Sequence, residues 1–275
     1  MRLEHIMSPI QENLNILQQR LMTIAEGTGN ETVLEAVTYF FGKPGKFLRP
    51  ALLMFSYGAA CEGGCGGDQE VEVDGQTRPE ILLSQAVEMI HSASLIHDDV
   101  IDRDEYRRGL ETLNRRYGNK SAVLLGDVLF TFAFDLLSEY FPKAYARVLT
   151  TTITQMCASE LIQAKGCETK ADYLQIITGK TAIFMSACCR LGAMLAGASP
   201  TQCEVFAGIG MDFGMAFQIV DDMDDQDPNG LRFTGLDEAA SYMKRAMAAV
   251  DTLSPSVYKE SLRQLGLFVL PTVAS

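Results

Sequence analysis

The aspartates of the segment Leu95–Asp102 have types and a spacing that suit metal chemistry. Asp98 and Asp102 are four residues apart, so on a helix they stack on one face, with Asp99 beside them. Three close carboxylates repel one another unless they share a cation, and their oxygens match the ligand preference of Mg²⁺. Taken alone, the motif is more typical of a solvated acidic helix end than of a metal site.

The same Asp-Asp-x-x-Asp spacing recurs at Asp221, Asp222 and Asp225, at the end of another apolar run. Two such clusters that face each other could hold Mg²⁺ ions between them. Because bare carboxylates repel phosphate oxygens, the metal ions would supply the positive charge that a substrate diphosphate needs. The repetition therefore favours a metal site over a solvated helix end.

Basic residues are concentrated near the first acidic motif. Eight of the 23 lysines and arginines fall in two short stretches: Lys43, Lys46, Arg49, Arg103, Arg107, Arg108, Arg115 and Arg116. Planar guanidinium groups suit phosphate oxygens well. The phosphate ligands that we favour are Lys46, Arg49, Arg107 and Arg108. Arg115 and Arg116 are interpreted as exposed charges.

The composition narrows the class of protein. The chain has 275 residues, 47% of them hydrophobic, and a formal net charge of −12. This composition supports a packed core and excludes a disordered chain. The negative charge argues against binding to nucleic acid or to anionic membrane surfaces. An anionic substrate would need a local basic patch or a metal.

Cysteine usage and apolar runs predict a soluble cytoplasmic protein. The seven cysteines are odd in number and show no disulfide or zinc spacing, which indicates a reducing compartment. The first residues lack the apolar core of a signal peptide. The longest apolar runs are interrupted by Asp127 or Arg190, well short of the ~20 residues of a transmembrane helix.

Helical periodicity runs through nearly the whole chain. Ile10, Leu14, Leu17, Leu21 and Ile24 recur at steps of four and three, which predicts an amphipathic helix. Similar patterns predict helices at 31–41, 47–60, 80–104, 120–141, 143–165, 170–198, 201–226, 236–253 and 256–269. Only Val71 and Val73 alternate like a strand, within a Gly-rich and acidic segment, 61–79, that predicts a loop.

These patterns predict an all-α fold, a single domain over 1–275 in which near-antiparallel helices enclose a central cavity. The helices at 120–141 and 170–198 are apolar on most faces, which predicts that both are central and largely buried.

The motifs together resemble those of the trans-prenyltransferases, the polyprenyl diphosphate synthases, over residues from about 40 to 226. The motifs that carry the resemblance are Gly45-Lys46-Phe47-Leu48-Arg49-Pro50, Glu88-Met89-Ile90-His91, Asp98-Asp99-Val100-Ile101-Asp102, Arg107-Arg108-Gly109, Gly118-Asn119, Gly126-Asp127, Gly179-Lys180-Thr181 and Phe217-Gln218-Ile219-Val220-Asp221-Asp222. Each is weak by itself, and their order and separations make the set specific.

The resemblance implies a role for each matching residue. It implies Mg²⁺ ligation by Asp98, Asp102 and Asp221, with Asp99, Asp222 and Asp225 in support. It assigns the isopentenyl diphosphate site to Lys46, Arg49, His91 and Arg108, and the allylic prenyl diphosphate site to Arg107, Lys180, Thr181 and Gln218. Taken singly, His91, Thr181 and Gln218 would pass as ordinary helix residues. Lys180 would not, because it interrupts a long apolar helix.

The resemblance further implies a head-to-tail 1′-4 condensation, the isoprenoid-synthase type of helical bundle and a homodimer. The product length depends on residues about one helical turn before Asp98, where the growing chain should run. Ala93 and Ser94 are both small there. In this family a bulky aromatic residue at this place stops elongation early, so we expect products of C20 or longer.

Beyond Asp225 the sequence departs from the family pattern. The family usually continues with a Gly-Lys pair, an Asp-containing stretch and a further helix, whereas this chain passes directly from Gln226 to Leu236 and onward. The family lysine that touches the allylic diphosphate has no counterpart unless Arg232 substitutes for it. Either the chain is an impaired or non-catalytic synthase, such as a partner subunit, or a mobile flap is left out of the sequence.

A terpene cyclase of the same fold is the second enzymatic alternative. Such an enzyme ionises a prenyl diphosphate at an acidic metal motif without adding isopentenyl diphosphate. It has no use for the second-substrate residues Lys46, Arg49, His91 and Arg108, so their presence favours chain elongation. A non-enzymatic helical interaction module would explain the apolar stripes but neither acidic cluster.

Overall fold

The computed structural model describes residues 2–64 and 78–270, and it confirms the predicted all-α architecture. The α-helices are α1 (Leu3–Met7), α2 (Gln11–Thr23), α3 (Glu31–Phe41), α4 (Leu48–Glu62), α5 (Pro79–Asp102), α6 (Leu113–Tyr117), α7 (Asn119–Tyr140), α8 (Lys143–Gln163), α9 (Lys170–Ile177), α10 (Ile183–Leu195), α11 (Pro200–Asp224), α12 (Pro228–Phe233), α13 (Leu236–Asp251) and α14 (Val257–Val269). Short 3₁₀ turns occupy Ser8–Ile10 and Glu26–Thr28. Most of the predicted loop at 61–79, with Val71 and Val73, lies outside the described residues.

Local sequence signals explain where the two motif-bearing helices begin. Pro79 stands at the first turn of α5, where its missing N–H is no loss. Helix α11 starts with a capping box, in which the Ser199 side chain accepts from the Gln202 N–H and the Gln202 side chain accepts from the Ser199 N–H. Both helices run to an acidic motif at their carboxyl ends.

The predicted helix at 170–198 is interrupted. A π-helical turn, Thr178–Ala182, separates α9 from α10. Gly214 of α11 packs so closely here that a Cβ at its position would lie 2.5 Å from Cα of Ala182. Such π turns are frequent at functional sites, and this one carries Lys180 and Thr181.

The described residues divide into two compact units. Of the described residues, one unit contains 2–10, 51–64 and 147–270, and the other contains 11–50 and 78–146. The smaller unit is built around α5, whose residues 80–90 are all buried. In the larger unit, α10 and α11 pack against each other, and α11 also packs on α13. The prediction of one domain over 1–275 stays a prediction.

Helix α7 differs from the prediction of a largely buried helix. Val123 is 40% exposed and Leu124 is 55% exposed, so only one side of α7 faces the core. Helix α10, in contrast, has nine buried residues. Sequence patterns also gave no sign of α12 or of a two-stranded hairpin, β1 (Tyr106–Arg107) with β2 (Leu110–Glu111).

Among the described residues, two helices, α7 and α11, are long and apolar enough to span a membrane by length and composition alone. Within the most apolar 18-residue stretch of each helix, 39% of the stretch in α7 and 61% of the stretch in α11 is buried. Because core helices of soluble proteins have the same properties, neither is a clear membrane-spanning segment.

Candidate active site

The first acidic motif occupies the last turn of α5. Asp98 is half-buried and Asp102 is exposed, whereas Asp99 is 2% exposed. The Arg107 Nε donates to Oδ1 of Asp99 at 2.6 Å, and the Arg107 Nη2 lies 3.7 Å from Oδ2 of Asp104. Burial raises the pKa of Asp99 and the Arg107 charge opposes this rise. Asp99 therefore holds Arg107 in place, while Asp98 and Asp102 are accessible to ligands.

The hairpin explains how Arg107 returns to Asp99. Its turn residues Arg108 and Gly109 have φ of 53° and 74°, the left-handed conformation that a two-residue hairpin turn requires. Glycine at the second position adopts this conformation without strain. The chain also reverses just after α5, where Arg103 has a φ of 60°.

The residues predicted for isopentenyl diphosphate come together in the smaller unit. The Nη1 of Arg49 lies 2.9 Å from Nε2 of His91. The Arg108 guanidinium packs over Gly45, where a Cβ would lie 2.6 Å from Nη2 of Arg108. Lys46, next to Gly45, is exposed. Only glycine at position 45 lets the arginine lie this close to the chain segment that carries Lys46.

Glu88 is a member of this cluster that sequence reasoning missed. It is 5% exposed, and burial raises its pKa to about 7 although the charges of Arg49 and Arg108 lower it. Burial, together with the charges of Arg49, Arg108 and Arg107, holds the pKa of His91 well below 6.5. An acid within the apolar run 86–90, three residues before His91, was the signal, because a buried carboxyl group needs a polar or charged partner.

The second acidic motif lies in the larger unit, at the end of α11. Asp221 and Asp225 are exposed, and Asp222 is half-buried. The Tyr173 hydroxyl donates to Oδ2 of Asp222 at 2.6 Å, and Nε2 of Gln218 donates to Oδ1 at 2.6 Å. Burial raises the pKa of Asp222, while these two hydrogen bonds lower it.

Two more predicted residues lie on the π turn of the same unit. The Thr181 hydroxyl donates to Oε1 of Gln218 at 2.5 Å, which joins Thr181 to Asp222 through the glutamine. The Lys180 Nζ lies 3.2 Å from Oε1 of Glu160 on α8. Tyr173 and Glu160 were not predicted, and no motif in the sequence marks them.

Helix α12 belongs to the segment in which the sequence departs from the family. Asp227 caps α12 by accepting from the N–H groups of Asn229 and Gly230 at 2.9 Å each. The Asp227 N–H donates to the Asp222 carbonyl at 2.7 Å. Arg232 is exposed, and its guanidinium lies 4.7 Å from the centre of the Phe233 ring. Its substitution for the family lysine stays a prediction.

The predicted chain-length residues differ in their surroundings. Ala93 is fully buried in α5. Ser94 is half-buried, and its hydroxyl donates to the His91 carbonyl at 2.8 Å.

The donor set fits Mg²⁺ that is completed by substrate. Within residues 2–64 and 78–270, no three His, Cys, Asp or Glu side chains are gathered closely enough to hold a metal ion by themselves. Mg²⁺ characteristically takes one or two protein carboxylates, with substrate phosphates and water completing its shell. Asp98 with Asp102, and Asp221 with Asp225, offer accessible oxygen ligands of this kind. That the two motifs share metal ions stays a prediction.

The architecture is that of the all-α isoprenyl diphosphate synthases. The crystal structure of a decaprenyl diphosphate synthase from Rhodobacter capsulatus matches with a TM-score of 0.85 at 22% identity, covering 100% of both chains. A polyprenyl synthase from Caulobacter crescentus CB15 matches with a TM-score of 0.82 at 23% identity, over 98% of this chain and 97% of the other. At these identities the likeness establishes a common fold.

The sequence establishes the family. Residues 30–229 match the polyprenyl synthetase family, and the chain belongs to it. It is 34% identical over 222 residues to the chloroplastic solanesyl-diphosphate synthase 2 of Oryza sativa subsp. japonica, covering 79% of this chain and 53% of the relative. It is 32% identical over 205 residues to the geranylgeranyl diphosphate synthase of Methanosarcina mazei, covering 71% and 59%. The family prediction is confirmed, and the chain spans just over half the length of these relatives.

Proposed function

We propose that this protein is a Mg²⁺-dependent prenyltransferase that condenses isopentenyl diphosphate head-to-tail with an allylic prenyl diphosphate. The observation that carries the proposal is the cluster of Arg49, His91 and Arg108 in the same unit as the first acidic motif. It provides positive charge for a second diphosphate, and an enzyme that only ionises one prenyl diphosphate has no need of it. Membership of the polyprenyl synthetase family supports the same activity.

The residues divide by role. The residues that would hold Mg²⁺ are Asp98, Asp102, Asp221 and Asp225, with Asp99 and Asp222 in support. Bound Mg²⁺ supplies positive charge to the diphosphate that leaves the allylic substrate. Lys46, Arg49, His91 and Arg108 bind the diphosphate of isopentenyl diphosphate. The allylic diphosphate is bound directly by Arg107 and Lys180, with Gln218 and Thr181 in support.

The reaction needs no protein nucleophile. The C1–O bond of the allylic diphosphate breaks, its electron pair leaves with the diphosphate, and an allylic cation remains. The double bond of isopentenyl diphosphate attacks this cation to form the 1′-4 bond, and a proton is then lost, with the departing diphosphate as its acceptor. Arg107 and Lys180 stabilise the negative charge of the leaving group. The reaction also requires that water be kept from the cation, because water would quench it.

We propose products of C20 or longer. The small side chains at Ala93 and Ser94, about one turn before Asp98, leave room for the growing chain. A homodimer and a cytoplasmic location complete the proposal, the first by family resemblance and the second from the odd number of cysteines without disulfide spacing. The net charge of −12 argues against nucleic acid as a partner.

Incubation with labelled isopentenyl diphosphate, primers of five to twenty carbons and Mg²⁺ tests the proposal. We expect prenyl diphosphates of C20 or longer, and none after chelation of the metal. Asp98→Asn should abolish product formation, whereas Asp135→Asn, which removes an exposed acid of α7 outside the motifs, should not. Absence of product at high enzyme concentration would favour a non-catalytic subunit. Cyclic hydrocarbons from the allylic substrate alone would favour a terpene cyclase.

A further inference from the structure

Four side chains of the larger unit form one continuous hydrogen-bonded chain. Thr181 donates to Gln218 at 2.5 Å, Gln218 donates to Asp222 at 2.6 Å, and Tyr173 donates to the other oxygen of Asp222 at 2.6 Å. Tyr173 and Thr181 come from α9 and the π turn, whereas Gln218 and Asp222 come from α11. The chain therefore ties the π turn that carries Lys180 to the second acidic motif.

The chemistry of the donors fixes the direction of each bond. The Thr181 hydroxyl donates to the amide oxygen of Gln218, so the amide nitrogen points to Asp222. The Tyr173 hydroxyl donates to the other carboxylate oxygen, Oδ2 of Asp222. With one directed donor on each oxygen, the carboxylate plane of Asp222 is fixed. Tyr173 is 3% exposed and Thr181 is 5% exposed, so water does not compete readily for these bonds.

The segment after the second acidic motif packs against Tyr173 and Asp222. A Cβ at Gly230 would lie 2.7 Å from Cβ of Asp222 and 3.5 Å from the Tyr173 hydroxyl. The Thr234 hydroxyl lies near Tyr173 and donates to the Gly230 carbonyl at 3.1 Å. The Phe233 and Tyr173 rings have centroids 6.2 Å apart. Tyr173 is thus where α9, α11 and the unusually short connection through α12 meet.

We propose that Tyr173 is a positioning residue that fixes the Asp222 carboxylate and, through it, the second acidic motif and the π turn, with α12 packed on the same contact. The inference rests on the proposed function and deepens it. Asp221 and Asp225 remain the accessible metal ligands of this motif, and Asp222 orients the helix end that presents them. Tyr173 acts through Asp222 and does not itself contact substrate.

Tyr173→Phe tests the inference because it keeps the ring and removes the one hydroxyl. A hydrogen bond to a charged group commonly changes an equilibrium about tenfold or more. We expect about tenfold weaker binding of a non-hydrolysable allylic thiodiphosphate in the presence of Mg²⁺, measured by calorimetry. In the kinetic assay, the Mg²⁺ concentration for half-maximal rate and the allylic KM should rise, while the KM for isopentenyl diphosphate stays unchanged. Tyr145→Phe, which alters a buried tyrosine outside this hydrogen-bonded chain, is the matched control.

A pair of glycine variants gives independent support. Gly230→Ala should weaken allylic binding in the same way, because its Cβ would press on Asp222. Gly235→Ala should have no effect, because no atom lies within 4 Å of a Cβ at that position. Alanine favours helix more than glycine does, so a loss at Gly230, inside α12, cannot come from helix propensity.

The outcomes separate the inference from the proposed function. If Tyr173→Phe binds the allylic analogue as tightly as the wild type does, the inference is overturned. An equal rise of the KM values for both substrates would also overturn it, since that result indicates general loosening of the fold. Absence of condensation by the wild type would overturn the proposed function, and the binding series would still decide the role of Tyr173.

Discussion

The Arg49 guanidinium and the His91 imidazole meet with Nη1 and Nε2 2.9 Å apart. Arginine can only donate, so Nε2 of His91 must accept and the histidine must be neutral, with its proton on Nδ1. The low pKa of His91 agrees with this protonation state. Together with the buried carboxyl group of Glu88, the cluster contains two groups whose titration differs from that of the unfolded chain.

The two groups have opposite effects on stability below neutral pH. Between pH 4.5 and about 7, Glu88 binds its proton more tightly in the folded state than in the unfolded chain. Its contribution to the free energy of unfolding therefore falls as the pH rises. Below pH 6.5, His91 is protonated in the unfolded chain but not in the folded state. The contribution of His91 to the free energy of unfolding therefore grows as the pH rises. From about pH 5 to 6.5 the two slopes oppose each other.

Glu88→Gln should expose the contribution of His91. We expect the free energy of unfolding of this variant to rise between pH 5 and 6.5 by up to about 1.4 kcal/mol per pH unit, more steeply than that of the wild type. Urea denaturation at several pH values measures this slope. Glu139→Gln, a change at an exposed acid of α7, should leave the wild-type profile intact. Coincident profiles for Glu88→Gln and the wild type would contradict the predicted linkage.

Asp99 and Asp102 should respond differently to neutralisation. Asp99→Asn leaves Arg107 without the carboxylate that it contacts at 2.6 Å. The side chain of Asp99 is 3% exposed and that of Arg107 is 31% exposed. We expect a loss of unfolding free energy of about 1–3 kcal/mol together with weaker allylic binding. Asp102→Asn changes an exposed side chain, so the melting temperature should stay within a few degrees while kcat falls about 10²-fold or more. Melting curves and initial rates on the same preparations compare the two, and equal stability losses would be inconsistent with their different burial.

Glu160 should compete with the allylic diphosphate for Lys180. Their charged groups are 3.2 Å apart, and both side chains are about one-third exposed, so the ion pair contributes at most about 1 kcal/mol. Glu160→Gln should therefore lower the allylic KM by up to about fivefold, whereas Lys180→Ala should raise it. Steady-state kinetics with varied primer measures both. A higher KM in Glu160→Gln would mean that the carboxylate holds Lys180 in its productive position.

Bulky residues before Asp98 should shorten the products. Ser94 is half-buried and can accept phenylalanine more readily than Ala93, which is fully buried and would be overpacked. We expect Ser94→Phe to shift the products toward fewer carbons, and Ala93→Phe to do so with an added loss of stability. Ser94→Ala should keep the wild-type distribution. Chromatography of the dephosphorylated products gives the lengths, and a wild type that stops at C15 would disprove the assignment.

The sequence by itself determined most of the long helices, the acidic motifs and the family. Apolar residues at helical spacing predicted α3 and α11 to within two residues, because this periodicity is a property of the local backbone. The Asp-Asp-x-x-Asp spacing likewise placed Asp98 and Asp102 at one helix end before any tertiary contact was known. The order of the motifs was sufficient to identify the polyprenyl synthetase family.

Only the tertiary structure decided which side chains meet and which are buried. The pair Tyr173 and Asp222 is 49 residues apart in sequence, and Arg49 and His91 are 42 apart, so no local pattern connects them. The sequence also did not predict that Leu124 is exposed on an apolar helix. Periodicity shows that a helix has an apolar face, but burial depends on the helices that pack against it, and these are brought together only by the folded chain.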